Sequence, residues 1–396
     1  MMNSNGRRIA ITGGGIGGLA AALSLIKAGF DVKVYEQASV LREVGAGIQI
    51  SPNASRILHR LGLADELAHF GVRPKYWQQR RWQDGRLLLQ TPLGVEVEQE
   101  FGFPHYQCHR ADVLAMLAKA MPAERLHLGH SLTAFTDTGT GVELKFSNGA
   151  TASADVLIGA DGIHSTVRSI LFGADAPEYT GCMAYRGLVP VEKLRHLDLD
   201  VVAQIWMGPR QHLVTYFVAG GRLLNFVANI ETENWTRESW NERGDPAELR
   251  ARFDGWDPKV RAMLEAVEET FMWGLFDRAP LTGWSVNRVT LLGDACHPML
   301  PYMAQGAAQA LEDGAVLAAC LSGNEDAAAA LRRYEQLRLP RASAVQAAAR
   351  GNKTRYHLSD GPEQIARDAG MTQGATDWSF KAVEWLYGHD AAADVV

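Results

Sequence analysis

Three glycines, three acids and one histidine–tyrosine pair hold the residue types and spacings that chemistry would need. Gly13, Gly15 and Gly18 have G-x-G-x-x-G spacing after the apolar run Ile9–Ile11. The first glycine allows a tight turn, the second lets backbone approach a pyrophosphate, and the third lets helix and strand pack closely. Glu36 ends the next apolar run (Val32, Val34, Tyr35), at the distance where a carboxylate takes ribose hydroxyls. Asp161, beside Gly162, and Asp294, after Gly293, each follow a further apolar run, where an acid can accept hydrogen bonds from polyol hydroxyls. His212 and Tyr216 lie four residues apart, an imidazole that titrates near working pH beside a phenol that can orient a ligand. A solitary strand histidine is more often a packing residue. The pair is the stronger signal.

The elements that must position these groups follow from hydrophobic period. Strand, glycine turn, an Ala/Leu-rich helix to Phe30, strand and terminal acid succeed one another, which makes a dinucleotide site. Val156–Ile158 and Val289–Leu292 read as buried parallel strands, each ending at an acid. Strand carboxyl ends open on one edge of such a sheet, where ligands bind. Gly45-Ala46-Gly47 precedes a short strand through Gln49, and Asn53 is placed to cap a helix from Ala54 to about Leu63. Asp84-Gly85 reads as a hairpin turn between Trp77–Gln83 and Arg86–Gln90, and Asn148-Gly149 as another between Val142–Phe146 and Thr151–Ala154. His109-Arg110-Ala111-Asp112 opens a helix.

From about Tyr179 to Met272 the chain is strand-like. A turn at Gly220-Gly221 pairs Val218 with Leu223, Tyr216 with Asn225, Val214 with Val227 and His212 with Asn229. One face then carries His212, Val214, Tyr216, Asn225, Val227 and Asn229, and the other the apolar Leu213, Phe217, Leu224, Phe226 and Ala228. Polar groups on an otherwise apolar face are how a small-molecule pocket fixes orientation, and Gln49, Pro301 and Tyr302 are further pocket residues. Pro298 to Ala307, with two prolines, feeds a helix read as Met303–Leu321, its free amides beginning near Gln305-Gly306.

Composition bounds the partners. The net charge of −6, from 45 acidic against 39 basic residues, argues against nucleic acid and anionic membrane. Cys108, Cys182, Cys296 and Cys320 are far apart without metal-ligand spacing, which fits free thiols, a cytoplasmic location and no bound metal. The uncharged run Ile9–Ile26 has the length to raise a membrane or signal segment, but glycines near its start fit the nucleotide loop instead.

The sequence resembles the flavoprotein aromatic hydroxylases of the p-hydroxybenzoate hydroxylase fold. Within them it is most similar to the salicylate, 3-hydroxybenzoate and 6-hydroxynicotinate monooxygenases. The resemblance rests on Gly13–Gly18 with Glu36, Gly45-Ala46-Gly47, His109–Asp112, Asp161-Gly162, Tyr185-Arg186-Gly187 and Gly293–Pro298, and covers about residues 8–345. It implies FAD, with Glu36 on the adenosine ribose, Arg110 near the ribityl–pyrophosphate region and Asp294 on the ribityl chain. Asp161-Gly162 would serve both FAD and a nicotinamide donor. Ile16, Gly17, Gln37, Arg42, Gly47, Pro298, Gly306 and Ala307 complete the implied cofactor set. The relatives resemble this chain at His212 and Tyr216, the implied catalytic pair. It departs from some of them at Pro301, where a polar residue can sit, and at Gln49, where the hydroxynicotinate enzymes tend to have histidine.

The implied fold is α/β: a discontinuous Rossmann-type FAD domain (1–75, 101–178, 273–345), an inserted mainly antiparallel sheet for substrate (76–100, 179–272) and a helical C-terminal segment (346–396). No second glycine-triplet unit exists for a nicotinamide nucleotide, so NADH or NADPH would dock transiently. The expected reaction is FAD reduction by NAD(P)H, O₂ addition giving a C4a-hydroperoxide, and hydroxylation of a small phenolic or hydroxypyridine carboxylate. Hydroxyl would enter ortho or para to the ring hydroxyl, with CO₂ lost where the attacked carbon bears the carboxylate. A monomer or homodimer fits equally. Epoxidation, Baeyer–Villiger oxidation, oxidase activity or a non-catalytic nucleotide-binding role are the alternatives, separable by product analysis and by flavin colour.

Overall fold

A computed structural model describes residues 6–41, 46–233, 235, 242–324, 326–373 and 379–395. A six-stranded sheet has the order Ser285–Val286, Val289–Leu291, Val156–Gly159, Arg8–Thr12, Asp31–Glu36, Leu126–Leu128. Its strands are parallel except for the antiparallel edge pair Ser285–Val286 and Val289–Leu291. These strands come from four distant parts of the chain, and Ile9–Thr12, Val156–Gly159 and Val289–Leu291 are buried on both faces, which is why they read as unbroken apolar runs. Their carboxyl ends bring the Gly13 loop, Glu36, Asp161 and Gly293-Asp294 to one edge. Gly13 has φ +104° and lies so close to Ala160 that a Cβ would stand 2.2 Å from its carbonyl oxygen, so no other residue fits the turn.

The second sheet has eight strands in the order Glu242–Gly244, Thr270–Asp277, Glu178–Pro190, Leu223–Glu231, Gln211–Val218, Ala203–Gly208, Tyr76–Arg81, Leu87–Pro92. It is antiparallel except between Ala203–Gly208 and Tyr76–Arg81. The register around Gly220-Gly221 is the expected one, with Val218 opposite Leu223, Tyr216 opposite Asn225 and His212 opposite Asn229. Leu213, Phe217, Leu224, Phe226 and Ala228 form the apolar side. At Asp84-Gly85 the hairpin stands, but its strands stop at Arg81 and resume at Leu87 after a register shift at Gln79/Arg80. The strand Thr270–Asp277 runs past residue 272, so the sheet reaches further along the chain than the expected boundary.

Within 179–272 the strand-like reading is corrected twice, by helices Pro246–Arg252 and Pro258–Glu265. Each opens on Asp-Pro: Asp245 accepts from the Ala247 amide and Asp257 from the Lys259 amide, with proline at the first helical position. Such a cap is worth about 1 kcal/mol. Leu249, Phe253, Val260, Met263 and Leu264 then cover the sheet's apolar side. Asn53 is also corrected. Helix Pro52–Arg60 starts two residues earlier, with Ser51 at its N-cap and Asn53 inside the first turn. The helix expected from Met303 begins at Gly306, because Pro301–Met303 forms a 3₁₀ turn and Ala304 (φ +52°) interrupts it.

From Gly306 onward the described chain is helical: Gly306–Ser322, Ala327–Tyr356, Pro362–Thr372 and Phe380–Tyr387. The last of these helices packs on the chain's own core, Val383, Leu386 and Tyr387 meeting Leu93, Val97, Phe101 and Val345. No helix among the described residues is long and apolar enough to cross a membrane. All four cysteines are free and buried.

Candidate active site

A cavity of about 350 Å³ lies between the two sheets. Its cofactor-side wall holds Gly15, Ile16, Gly17, Gly47, Arg110, Gly162, Asp294, Gly306 and Ala307. The opposite wall is the polar face of the large sheet, with His212, Tyr216 and Asn229 among Trp77, Ile205, Val214 and Val227. Gln49, Pro301 and Tyr302 close the space, joined by Arg186, Trp273, Tyr356 and Tyr387, which the sequence reading did not place there.

Several expected residues lie outside this lining. Glu36 at its strand end accepts from the Gly14 amide (2.6 Å) and the Ala38 amide (2.8 Å), with Gln37 exposed beside it. Asp161 turns toward its own helix, accepting from the Thr166 amide (2.8 Å), the Val167 amide (3.2 Å) and the Ser165 hydroxyl, while Gly162 faces the cavity. Pro298 lines a smaller adjoining cavity, and Arg42 lies outside the described residues.

Asn225 does not line the cavity. Its Oδ1 accepts from the Gly47 amide at 2.7 Å, joining the eight-stranded sheet to the short strand Gly47–Ile50. A Cβ on Gly47 would stand 2.5 Å from the Tyr216 ring and 2.6 Å from both the Asn225 Cγ and the Tyr216 hydroxyl. Gly47→Ala is therefore expected to displace Tyr216 and to cost about 1–3 kcal/mol of stability. An unchanged denaturation midpoint in urea would show that the two lobes do not approach this closely.

The cavity fits FAD on its own geometry. Space is open where a Cβ on Gly15 would project, with nothing within 4 Å, beside the glycine turn and a helix start at Gly306. Asp294 presents its carboxylate to the same space. The residue is itself open to the cavity, and the packed walls around it raise its pKa, opposed by the nearby charges of His297 and Arg110.

Behind Asp294 lies a buried charge network. Arg338 donates to Asp313 (2.8 Å) and Glu312 (2.5 Å), and Arg341 donates to both Glu312 oxygens (2.6 and 2.8 Å). Asp313 Oδ2 also accepts from the Gly293 amide (3.0 Å) and meets His297 Nε2 at 2.6 Å. Asn53 Nδ2 reaches Glu312 (2.7 Å) and Gln305 (3.1 Å). The polar side chain that looked like a cap thus ties the first lobe to the helix after Asp294. Cys296, His297 and Asp313 are close enough to share a metal, but Asp313 and His297 are already committed to each other.

On the opposite wall His212 is buried, its Nε2 3.0 Å from Asn229 Nδ2 and its Nδ1 2.6 Å from His357 Nε2. Burial first, and then His357, lowers its pKa well below the ordinary histidine value, so it stands neutral. Burial raises the Tyr216 phenol. This wall offers a proton acceptor and a phenol to whatever lies against it.

A nucleotide edge, a sheltered space and an acid–base wall together define a flavin-dependent oxidoreductase acting on a small enclosed substrate. A family model described as "FAD binding domain" matches residues 7–349. The chain is 43% identical over 392 residues to 3-amino-4-hydroxybenzoate 2-monooxygenase of Streptomyces platensis, covering 99% of this chain and 98% of the relative. It is 42% identical over 349 residues to 6-hydroxynicotinate 3-monooxygenase of Pseudomonas fluorescens, covering 87% and 90%. A salicylate hydroxylase–substrate complex superposes with TM-score 0.83 at 30% identity, covering 98% and 97%. The chain belongs to the FAD-binding-domain family, as an FAD-dependent aromatic monooxygenase.

Proposed function

We propose that this enzyme hydroxylates a small aromatic acid carrying a ring hydroxyl, with His212 as the base for that hydroxyl. The observation that carries the reading is the placement of His212 and Tyr216 on one sheet face, lining the same cavity as the glycine loop and Asp294. FAD, when bound along Gly15, Arg110, Asp294 and Gly306, supplies electron transfer from NAD(P)H and activation of O₂. The chain's own residues do the rest. His212, held neutral, withdraws the hydroxyl proton and raises electron density at the ortho and para carbons. Tyr216, packed on Gly47, hydrogen-bonds the ring substituent. Arg186 lies over Trp273 at 5.2 Å and is, with Arg110, one of two arginines among the described lining residues. It is the cation on the substrate side, and we assign it the carboxylate. Ile205, Val214, Val227 and Leu300 keep water from the ring. The enzyme is proposed to act in the cytoplasm as a monomer or homodimer.

The related names narrow the substrate without choosing it. Carbon 3 of 6-hydroxynicotinate is para to the hydroxyl and bears the carboxylate, so attack there expels CO₂. Carbon 2 of 3-amino-4-hydroxybenzoate is adjacent to the amino group, so ring amines belong in the test. FAD-loaded enzyme is to be offered 3-amino-4-hydroxybenzoate, 6-hydroxynicotinate, 3-hydroxybenzoate and salicylate. At least one should accelerate NAD(P)H oxidation and yield a product heavier by one oxygen, or the corresponding decarboxylated phenol. Flavin oxidation with no oxygenated product from any of the four would overturn the proposal.

A further inference from the structure

Behind His212 a line of hydrogen bonds runs from the cavity wall to the protein surface. Asn229 Nδ2 lies 3.0 Å from His212 Nε2, His212 Nδ1 2.6 Å from His357 Nε2, and His357 Nδ1 2.9 Å from Glu231 Oε1. Exposure rises along it. His212 is 1% exposed, and the side chains of His357 and Glu231 are 2% and 25% exposed. Arg210, which donates to the second Glu231 oxygen at 3.3 Å, has a side chain 61% exposed. The parts come from two adjacent strands and from the residue that ends helix Ala327–Tyr356.

The outer end dictates where the protons sit. The hydrogen bond from His357 holds the Glu231 carboxyl below its ordinary range, against the opposing effect of burial. Glu231 is therefore an acceptor and His357 Nδ1 a donor. His357 Nε2 must then accept, His212 Nδ1 must donate, and His212 Nε2 is left to accept the Asn229 N–H. Both imidazoles are fixed in the tautomer that can pass a proton outward. Tyr302 and Tyr356 pack against His212 with ring centroids at 5.4 and 5.3 Å, and both are phenols raised by burial, so neither adds charge. Burial lowers the His357 pKa below the ordinary histidine value against the opposing pull of Glu231, and the charge of Lys353, which donates to the Thr180 carbonyl at 2.7 Å, lowers it further, so no standing charge rests on His357. A proton entering the line is thereby pressed to its outer end.

We propose that His357 and Glu231 form, with His212, a proton exit from the substrate's ring hydroxyl to solvent. This rests on the assignment of His212 as base. The substrate displaces the Asn229 amide from His212 Nε2. Its O–H bond breaks as Nε2–H forms, leaving the electron pair on the ring oxygen. The Nδ1 proton of His212 moves to His357 Nε2, the Nδ1 proton of His357 moves to Glu231, and Glu231 releases it to water. Passage in reverse reprotonates the product oxygen and restores both tautomers. His357 and Glu231 never touch the substrate.

The exit is testable with oxidised, FAD-loaded, anaerobic enzyme, before any electron transfer. Stopped-flow mixing with 6-hydroxynicotinate, 3-amino-4-hydroxybenzoate or 3-hydroxybenzoate in weak buffer with a pH-indicator dye reads proton release directly. Wild-type enzyme should release a proton as the ring anion's absorbance appears. Glu231→Gln and His357→Asn should slow release about tenfold or more, with FAD content unchanged. Glutamine still accepts from His357 Nδ1 but cannot carry the proton, so Glu231→Gln decides the matter should His357→Asn fail to fold. Wild-type release rates in the folded variants overturn the exit. His212→Asn separates the two claims: slow release there with fast release in the others sinks the exit alone. Wild-type release in His212→Asn, or no release from wild-type enzyme with any of the three acids, sinks the base assignment and the exit together.

Discussion

Product formation by His212→Asn is expected to fall by about 10²–10⁴-fold, the range supplied by a positioned acid–base group. Bound FAD should remain and NAD(P)H oxidation should continue, because His212 belongs to the eight-stranded sheet, on the wall opposite Gly15, Asp294 and Gly306. Electrons would then reach O₂ without reaching the ring, and peroxide should replace product. Asparagine is the informative substitution, since it retains polar atoms near Asn229 and His357 and leaves a smaller gap than alanine. The pH dependence has a definite sign. The folded pKa of His212 is lowered well below 6.5, so the neutral imidazole persists through neutral pH. Wild-type hydroxylation should lose its base only on the acid side, below the usual histidine midpoint. Product per NAD(P)H measured from pH 5 to 8 checks both points. Equal coupling in variant and parent would remove His212 from the chemistry.

Arg338→Met should be the most destabilising single change at the site, by about 3–5 kcal/mol, the cost of leaving buried charge uncompensated. Arg338, Glu312 and Asp313 are all essentially inaccessible to solvent. Burial alone would raise the two carboxyls, yet Arg338 and Arg341 hold Glu312, and His297 and Arg338 hold Asp313, at about 2. Folded pKa values below the unfolded ones contribute stability that is complete above roughly pH 5 and is withdrawn as pH falls through about 2. Because Asp313 also holds the Gly293 amide and His297, the variant should lose FAD together with stability. Urea titration followed by flavin fluorescence tests this, with Arg338→Lys as the control that keeps charge without the planar fork. A midpoint within experimental error of the parent's would show that the network carries no net stability.

Much of the architecture was legible because it depends on period and turn chemistry. Continuous apolar runs ending near Gly13, Asp161 and Gly293-Asp294 mark buried parallel strands, and the alternating Asp31–Glu36 marks the half-buried strand beside them. Glycines at 220 and 221 set a register that put His212 and Tyr216 on one face. What the sequence did not reveal depends on partners far along the chain. Asn53 has the local look of a cap, but Glu312 lies 259 residues away. His357, 145 residues from His212, sits at a helix end with nothing nearby to single it out. Arg338 reads as one arginine among several on a helix whose buried side only packing reveals. The two missed helices were different. Asp245-Pro246 and Asp257-Pro258 are local start signals, overlooked inside a region read for alternation.

Helix Ala327–Tyr356 carries Arg338 behind the cofactor-side loop and delivers His357 to the acid–base wall. The nineteen-residue separation corresponds to about 28 Å of rise, so one rod sets the spacing of two functional ends. Deleting a single residue between them would turn the distal end by about 100° and swing His357 off His212, although Glu312 and Asp313 kept their partner. Length variation in this chain can be absorbed by surface loops but not by that interval. Its residue count is as much a part of the active site as any side chain that faces the substrate.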